Sequence, residues 1–216
     1  MIDHEVIEIT LRSITVSGSA TLLALTWCIP IAYILAGSTS RISKAIISIL
    51  NALVGLPTVT VGLLLYMIFS RSGPLGFLNM LYTPIIISIG QAILITPLLI
   101  SLLYEIYTSG RSKYWELALT LGATRVQAST LVIVESLPQT ITAILIGFGR
   151  AIGELGVALM VGGNIRGYTR VLTTSIALEV EKGEFEKALI LGAILLAVVL
   201  MIVISVRIIR AKVEGP

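Results

Sequence analysis

Arg150 and Glu154 are the residues best placed to do electrostatic work in this chain. They stand four positions apart inside Ser136 to Ile165, a region that carries no other charge. A charge in the middle of an apolar helix costs at least ~2.5 kcal/mol on insertion scales, so such a pair either neutralises itself along one helical turn or faces a water-filled path. Both readings stand at this point. A second group follows closely: Asn164, Arg166, Thr169, Arg170, Thr173 and Thr174 gather hydrogen-bond donors and positive charge in one short segment. That composition suits the passage of a tetrahedral dianion, while the plainer alternative is a solvated loop whose arginines cap helix ends. Arg150, Glu154, Asn164, Arg170, Thr173 and Thr174 are therefore the candidate pathway or gate residues. The run Glu179, Glu181, Lys182, Glu184, Glu186 and Lys187 reads as a solvated face of mixed charge.

Enzyme chemistry fits poorly. Ser17 and Ser19 flank Gly18, but the only histidine, His4, lies outside that run and supplies no base to them. No Gly-x-x-x-x-Gly-Lys-Ser/Thr loop occurs, so the chain has no usual cradle for ATP phosphates. One cysteine, Cys28, and one histidine build neither a disulfide framework nor a Cys/His metal site. No catalytic residue and no metal ligand is assigned.

The elements that must position these residues are membrane spans. The 216 residues are 56% hydrophobic and 12% charged, about half the ~25% charge of a soluble domain. Charge-free stretches run from Ser13 to Ser40, Ala45 to Ser70, Ser72 to Tyr104 and Ala188 to Val206, each able to supply the ~20 residues that cross a hydrocarbon core. With the region holding Arg150 and Glu154, the expectation is an all-α polytopic membrane protein of five transmembrane helices, at about 13–37, 45–70, 84–104, 137–162 and 188–207. They form a single transmembrane domain over 1–216. Asp3, Glu5 and Glu8 precede the first span, which is unlike the basic start of a cleavable signal peptide. Five spans put the termini on opposite sides. Arg41, Lys44, Arg111, Lys113, Arg125, Arg207, Arg210 and Lys212 then share one side, and Arg12, Arg71, Arg166, Arg170, Lys182 and Lys187 the other. The first set is the larger, which makes its side cytoplasmic, with the N-terminus outside and the C-terminus inside. Pro30, Pro57 and Pro97 each remove a helical hydrogen bond and are candidate kinks. Gly149, Gly153 and Gly156 form a small-residue ridge at which another helix can approach.

Between the third and fourth spans, the segment 105–126 carries a pattern of its own. In KYWELALTL, from Lys113 to Leu121, Tyr114, Leu117, Ala118 and Leu121 share one helical face, and Lys113, Glu116 and Thr120 the opposite one. Gly122 stands where a left-handed cap belongs, and Thr124 with Gln127 has the pattern of a capping box. The spacing predicts a short helix, a tight turn and a second helix. Such an object suits docking to a soluble partner, the alternative being an amphipathic helix resting on headgroups.

ELALTLGA resembles the Glu-Ala-Ala loop of ABC importer permeases, with Glu116, Ala118 and Gly122 matching and Leu117 in place of the first alanine. GLPTVTVGLLLYMIFSRSGPLG at 55–76 and FGRAIGELG at 148–156 resemble the oxyanion branch of that family. GGNIRGYTRVLTTSIALEVEKGEFEKALILG at 162–192 is most similar to its tungstate-type permeases. The resemblance implies a type I (MetI-like) permease fold, and it implies import of an oxyanion, with tungstate first and molybdate or sulfate next. Lys113, Glu116, Ala118, Gly122 and Ala123 would couple to an ATPase. It also implies partners: a second copy of the chain, two cytoplasmic ATPase subunits, an external substrate-binding protein and the lipid bilayer of the plasma membrane, with no nucleic acid. ATP and Mg would sit on the ATPase and no cofactor on this chain. The competing class is a channel or secondary transporter that needs no ATPase.

Overall fold

The computed structural model describes residues 4–214 and, among them, is helical throughout with no strand. The helices are α1 His4–Ala36, α2 Arg41–Leu53, α3 Thr58–Phe69, α4 Pro84–Thr120, α5 Arg125–Glu135, α6 Leu137–Ile152, α7 Gly156–Gly162, α8 Leu172–Glu181 and α9 Phe185–Glu214, with a single 3₁₀ turn at Gly76–Leu78. Asp3 and the side chains of Arg207, Arg210 and Lys212, which entered the charge count, lie outside the described residues.

Helix α4 is the axis of the fold. Its 37 residues reach ~55 Å at ~1.5 Å each, well beyond a ~30 Å hydrocarbon core, so one end must project. Ile86, Ile87, Ile95, Leu99 and Leu103 along it are fully buried. Helix α1 lies against α4 through Ala20, Ala24, Cys28 and Ala32, small residues every four positions that let the two backbones come close. The Ser19 and Ser88 hydroxyls meet at 2.9 Å, and Trp27 Nε1 donates to Thr96 Oγ1 at 2.9 Å. Both numbers of each pair rise together, so α1 and α4 run in the same direction.

Among the described residues three helices are long and apolar enough to cross a membrane: His4–Ala36, Pro84–Thr120 and Phe185–Ser205. The other two expected spans are broken. Over 45–70 the chain bends by 100° between α2 and α3, because Pro57 disfavours helix at Leu56 and opens α3 as its N-cap residue. Twelve residues of α3 cover only ~18 Å, so α3 alone does not span. Helices α5 and α6 meet at 54°, where Pro138 in the first turn of α6 cannot continue the preceding helix. The expected helix 137–162 then stops at Ile152 and restarts at Gly156. Pro30 and Pro97, by contrast, lie within unbroken helices.

The glycine ridge does not form one face. A Cβ on Gly156 would come within 2.5 Å of Thr58 Oγ1 and 2.9 Å of the Val59 nitrogen, and one on Gly62 within 2.9 Å of Met160 Cβ, so these two glycines let α3 and α7 touch. Gly149 looks instead at Ile202 of α9, and Gly153 is exposed. Packing within the chain accounts for Gly156.

Candidate functional site

The segment that resembles a coupling loop is not a separate short helix. It is the end of α4, which runs without a break from the span to Thr120. At Gly110 it passes close to the α5–α6 junction, where a Cβ would lie 2.6 Å from Ser136 Oγ. The turn itself is as expected. Gly122 has φ +86°, the left-handed region that glycine enters without a steric cost. Its N–H donates to the Leu119 carbonyl, and that of Ala123 to Ala118, both at 3.0 Å. Thr124 N–H donates to Gln127 Oε1 at 2.8 Å and Gln127 N–H to Thr124 Oγ1 at 3.3 Å, closing the capping box that opens α5.

The faces are redistributed, however. Lys113 and Glu116 are exposed and Ala118 is buried, but Leu117 and Leu121, expected on the covered face, are 55% and 79% exposed. With Val126 they make the tip apolar, because the helix has left the bundle and none of the described residues covers it. Arg111, which the sequence marks only as one of the basic residues of its side, has a structural role. Its guanidinium sits 4.2 Å from the Trp115 ring centroid and 5.5 Å from that of Tyr33, tying the end of α1 to the projecting part of α4.

Arg150 and Glu154 do pair, with Nη1 donating to Oε2 at 2.8 Å, but across a helix break and not along a continuous turn. Glu154 is 2% exposed and Arg150 38%. The other carboxylate oxygen of Glu154 accepts the Val157 N–H at 3.2 Å and so caps α7. Its backbone carbonyl accepts the Thr173 hydroxyl at 2.8 Å. One residue thus joins α6, α7 and α8.

Beyond α7 the loop 163–171 brings the expected donors together, though most of them serve the chain. Asn164, at φ 51°, donates through Nδ2 to the Thr174 carbonyl at 3.3 Å and accepts from Arg170 Nε at 3.2 Å. Thr174 Oγ1 accepts the Val171 N–H, and Thr169 bridges the Gly162 carbonyl and the Ile165 N–H. Thr173 and Thr174 are buried. Two residues near the N-terminus, which no local pattern marks, complete the cluster. Glu5 accepts from Arg166 Nε and Nη2 at 3.0 and 2.7 Å and from Arg170 Nη1 at 3.3 Å. Arg12 donates to the carbonyls of Arg170 and Gly167 at 3.1 and 2.9 Å. The hydrogen bonds from Arg166 hold the Glu5 carboxyl below its ordinary value of 4.5 against the opposing effect of partial burial, and the charges of Arg166, Lys187 and Arg170 add to the lowering. Glu179, expected on a solvated face, is buried at 3% exposure, with Lys182 and Lys187 at 3.1 and 3.6 Å. Among the described residues no group of three or more His, Cys, Asp or Glu side chains could hold a metal ion.

A projecting helical hairpin on a bundle of apolar helices is the architecture expected of a transport subunit, and comparison with known proteins agrees. Residues 28–215 match the family described as the binding-protein-dependent transport system inner membrane component. The chain belongs to that family. This permease is 38% identical over 190 residues, 88% of its length and 83% of the relative's, to a tungstate uptake system permease protein of Peptoclostridium acidaminophilum. It is 34% identical over 151 residues, 70% of its own length and 63% of the relative's, to a protein of the same description in Campylobacter jejuni. Over 194 residues, 86% of its length and 85% of the relative's, it is 30% identical to a molybdenum transport system permease protein of Azotobacter vinelandii. Its relatives are ABC permease subunits and not enzymes in themselves, and its apolar helices are those of a multi-pass membrane protein.

Proposed function

We propose that this permease is the membrane-spanning half of an ATP-driven importer for a tetrahedral oxyanion, tungstate first and molybdate or sulfate next. Its similarity to a tungstate permease over most of both chains carries the reading. Two copies form the pathway, since one chain of few helices encloses little volume and a twofold axis uses each lining residue twice. An external binding protein delivers the anion, and two ATPase subunits bind from the cytoplasm with ATP and Mg. The chain is one transmembrane domain over 1–216.

Five crossings are the reading that we adopt, and the parallel packing of α1 and α4 supports its first part. Both begin on the same face, so α2 and α3 together return the chain between them. Arg150, Glu154, Asn164, Arg170, Thr173 and Thr174 belong to the outer half of the pathway or its gate. Lys113, Glu116, Ala118, Gly122 and Ala123 shape the tip that the ATPase covers. The bare Leu117 and Leu121 favour a covered tip over a free-standing channel, because exposed leucines in water gain from burial.

Two experiments test this reading. Purified from native membranes, the permease brings an ATPase subunit with it, and vesicles holding that complex and the binding protein take up tungstate only with ATP inside. Uptake without ATP would replace the importer by a channel. For orientation, Lys113→Cys reacts with a membrane-impermeant thiol reagent in inside-out vesicles and not in intact cells, with no background from Cys28, which is buried. Labelling from the outside of intact cells inverts the topology.

A further inference from the structure

Arg166 and Arg170 leave one short loop and end on one carboxylate that comes from the opposite end of the sequence. Arg166 forks both oxygens of Glu5, and Arg170 Nη1 reaches Oε1. Arg170 is 13% exposed and is held by Asn164, whose side-chain oxygen takes its Nε and whose carbonyl takes its Nη2. Only its Nη1 edge is turned to the carboxylate. Arg12 donates to the carbonyls of Arg170 and Gly167 and so holds the loop against α1. Two guanidiniums therefore clamp a single negative charge, and Arg12 braces the loop that carries them.

We propose that the loop between α7 and α8 is an anion receptor, and that Glu5 is its tethered occupant, which an incoming tetrahedral oxyanion displaces and which re-enters when the anion moves on. This rests on the reading of the chain as an oxyanion permease and on the loop facing outward. A carboxylate clamped by two arginines shows where two oxygens of an oxyanion would sit. The Arg166 arm of the clamp opens at little cost, because Arg166 is 74% exposed and ion pairs open to water contribute little, whereas the Arg170 arm, 13% exposed, is the contact that the anion must replace. A dianion meets two guanidiniums with twice the charge of the carboxylate that it replaces. Glu5 can withdraw because it lies in the first turn of α1, where a helix lacks part of its own hydrogen bonding and opens most easily. Its return restores the occupied state once the anion has passed inward, so the receptor does not trap its cargo.

The test uses the permease assembled with its ATPase in lipid nanodiscs, without binding protein, and counts bound tungsten after equilibrium dialysis against tungstate. Glu5→Gln keeps the shape and removes the competing charge, so its dissociation constant for tungstate falls at least tenfold relative to wild type. Glu5→Gln with Arg170→Gln loses that gain. In the wild type, saturating tungstate accelerates backbone hydrogen exchange over residues 4–10 several-fold, and the same ionic strength of chloride does not. Unchanged exchange in the wild type overturns the proposal whatever the variants do. So does a Glu5→Gln complex that binds tungstate no better than wild type while still importing it with binding protein present. A wild-type complex that imports no oxyanion at all overturns instead the reading on which the proposal rests.

Discussion

Arg150→Ala destabilises the purified permease by ~1–3 kcal/mol, the scale for leaving one buried polar group without its partner. Glu154, left behind, is 2% exposed and has no other cation within reach among the described residues. Glu154→Ala is costly for a different reason. Arg150 is 38% exposed and can turn outward, but the Val157 N–H loses its cap, worth ~1 kcal/mol. The double-alanine variant recovers most of the stability and falls short of wild type by about that cap. Denaturant titration in detergent measures all three. Transport separates scaffold from gate. If the pair serves the pathway, the double variant assembles with its ATPase and yet moves no tungstate in vesicles. Full uptake by that variant leaves both residues as the joint between α6, α7 and α8 and nothing more.

Gly122→Val leaves insertion and thermal stability of the permease unchanged and weakens its association with the ATPase about five- to thirtyfold. At φ +86° a side chain costs ~1–2 kcal/mol, and a β-branched one resists most, so the turn relaxes and carries Leu121 away from its place. Each ~1.4 kcal/mol is a factor of ten in affinity. Gly122→Asn restores most of the binding, because asparagine tolerates the left-handed region. Among the described residues nothing lies within 4 Å of the added Cβ, which keeps the effect at the tip and out of the fold. Copurification and transport-coupled ATP hydrolysis read it. Normal association by Gly122→Val would remove this turn from the coupling machinery.

The sequence by itself determined what is local or set by the solvent. Runs without charge place helices in lipid because no other solvent accepts them. The turn at Gly122 and the capping box of Thr124 with Gln127 were legible because both are decided within one helical turn. The motif Glu116-Leu117-Ala118 with Gly122 pointed to the family, and the match over residues 28–215 bears it out. Tertiary structure alone decided which apolar faces are covered. In lipid a leucine facing a tail and one facing a helix look alike in sequence. Thus 61% of the span window in α4 is buried but only 17% of that in α9, although both pass as spans. The break after Ile152 could not be read either, since Gly153 is tolerated inside many membrane helices. It stops this one because the Glu154 carboxylate caps the next helix. Least legible was Glu5, whose partners lie 161 and 165 positions away. A lone acidic residue before a span carries no mark of the arginines it will meet, because that meeting depends on how α1 packs along α4 and on where the loop between α7 and α8 then falls.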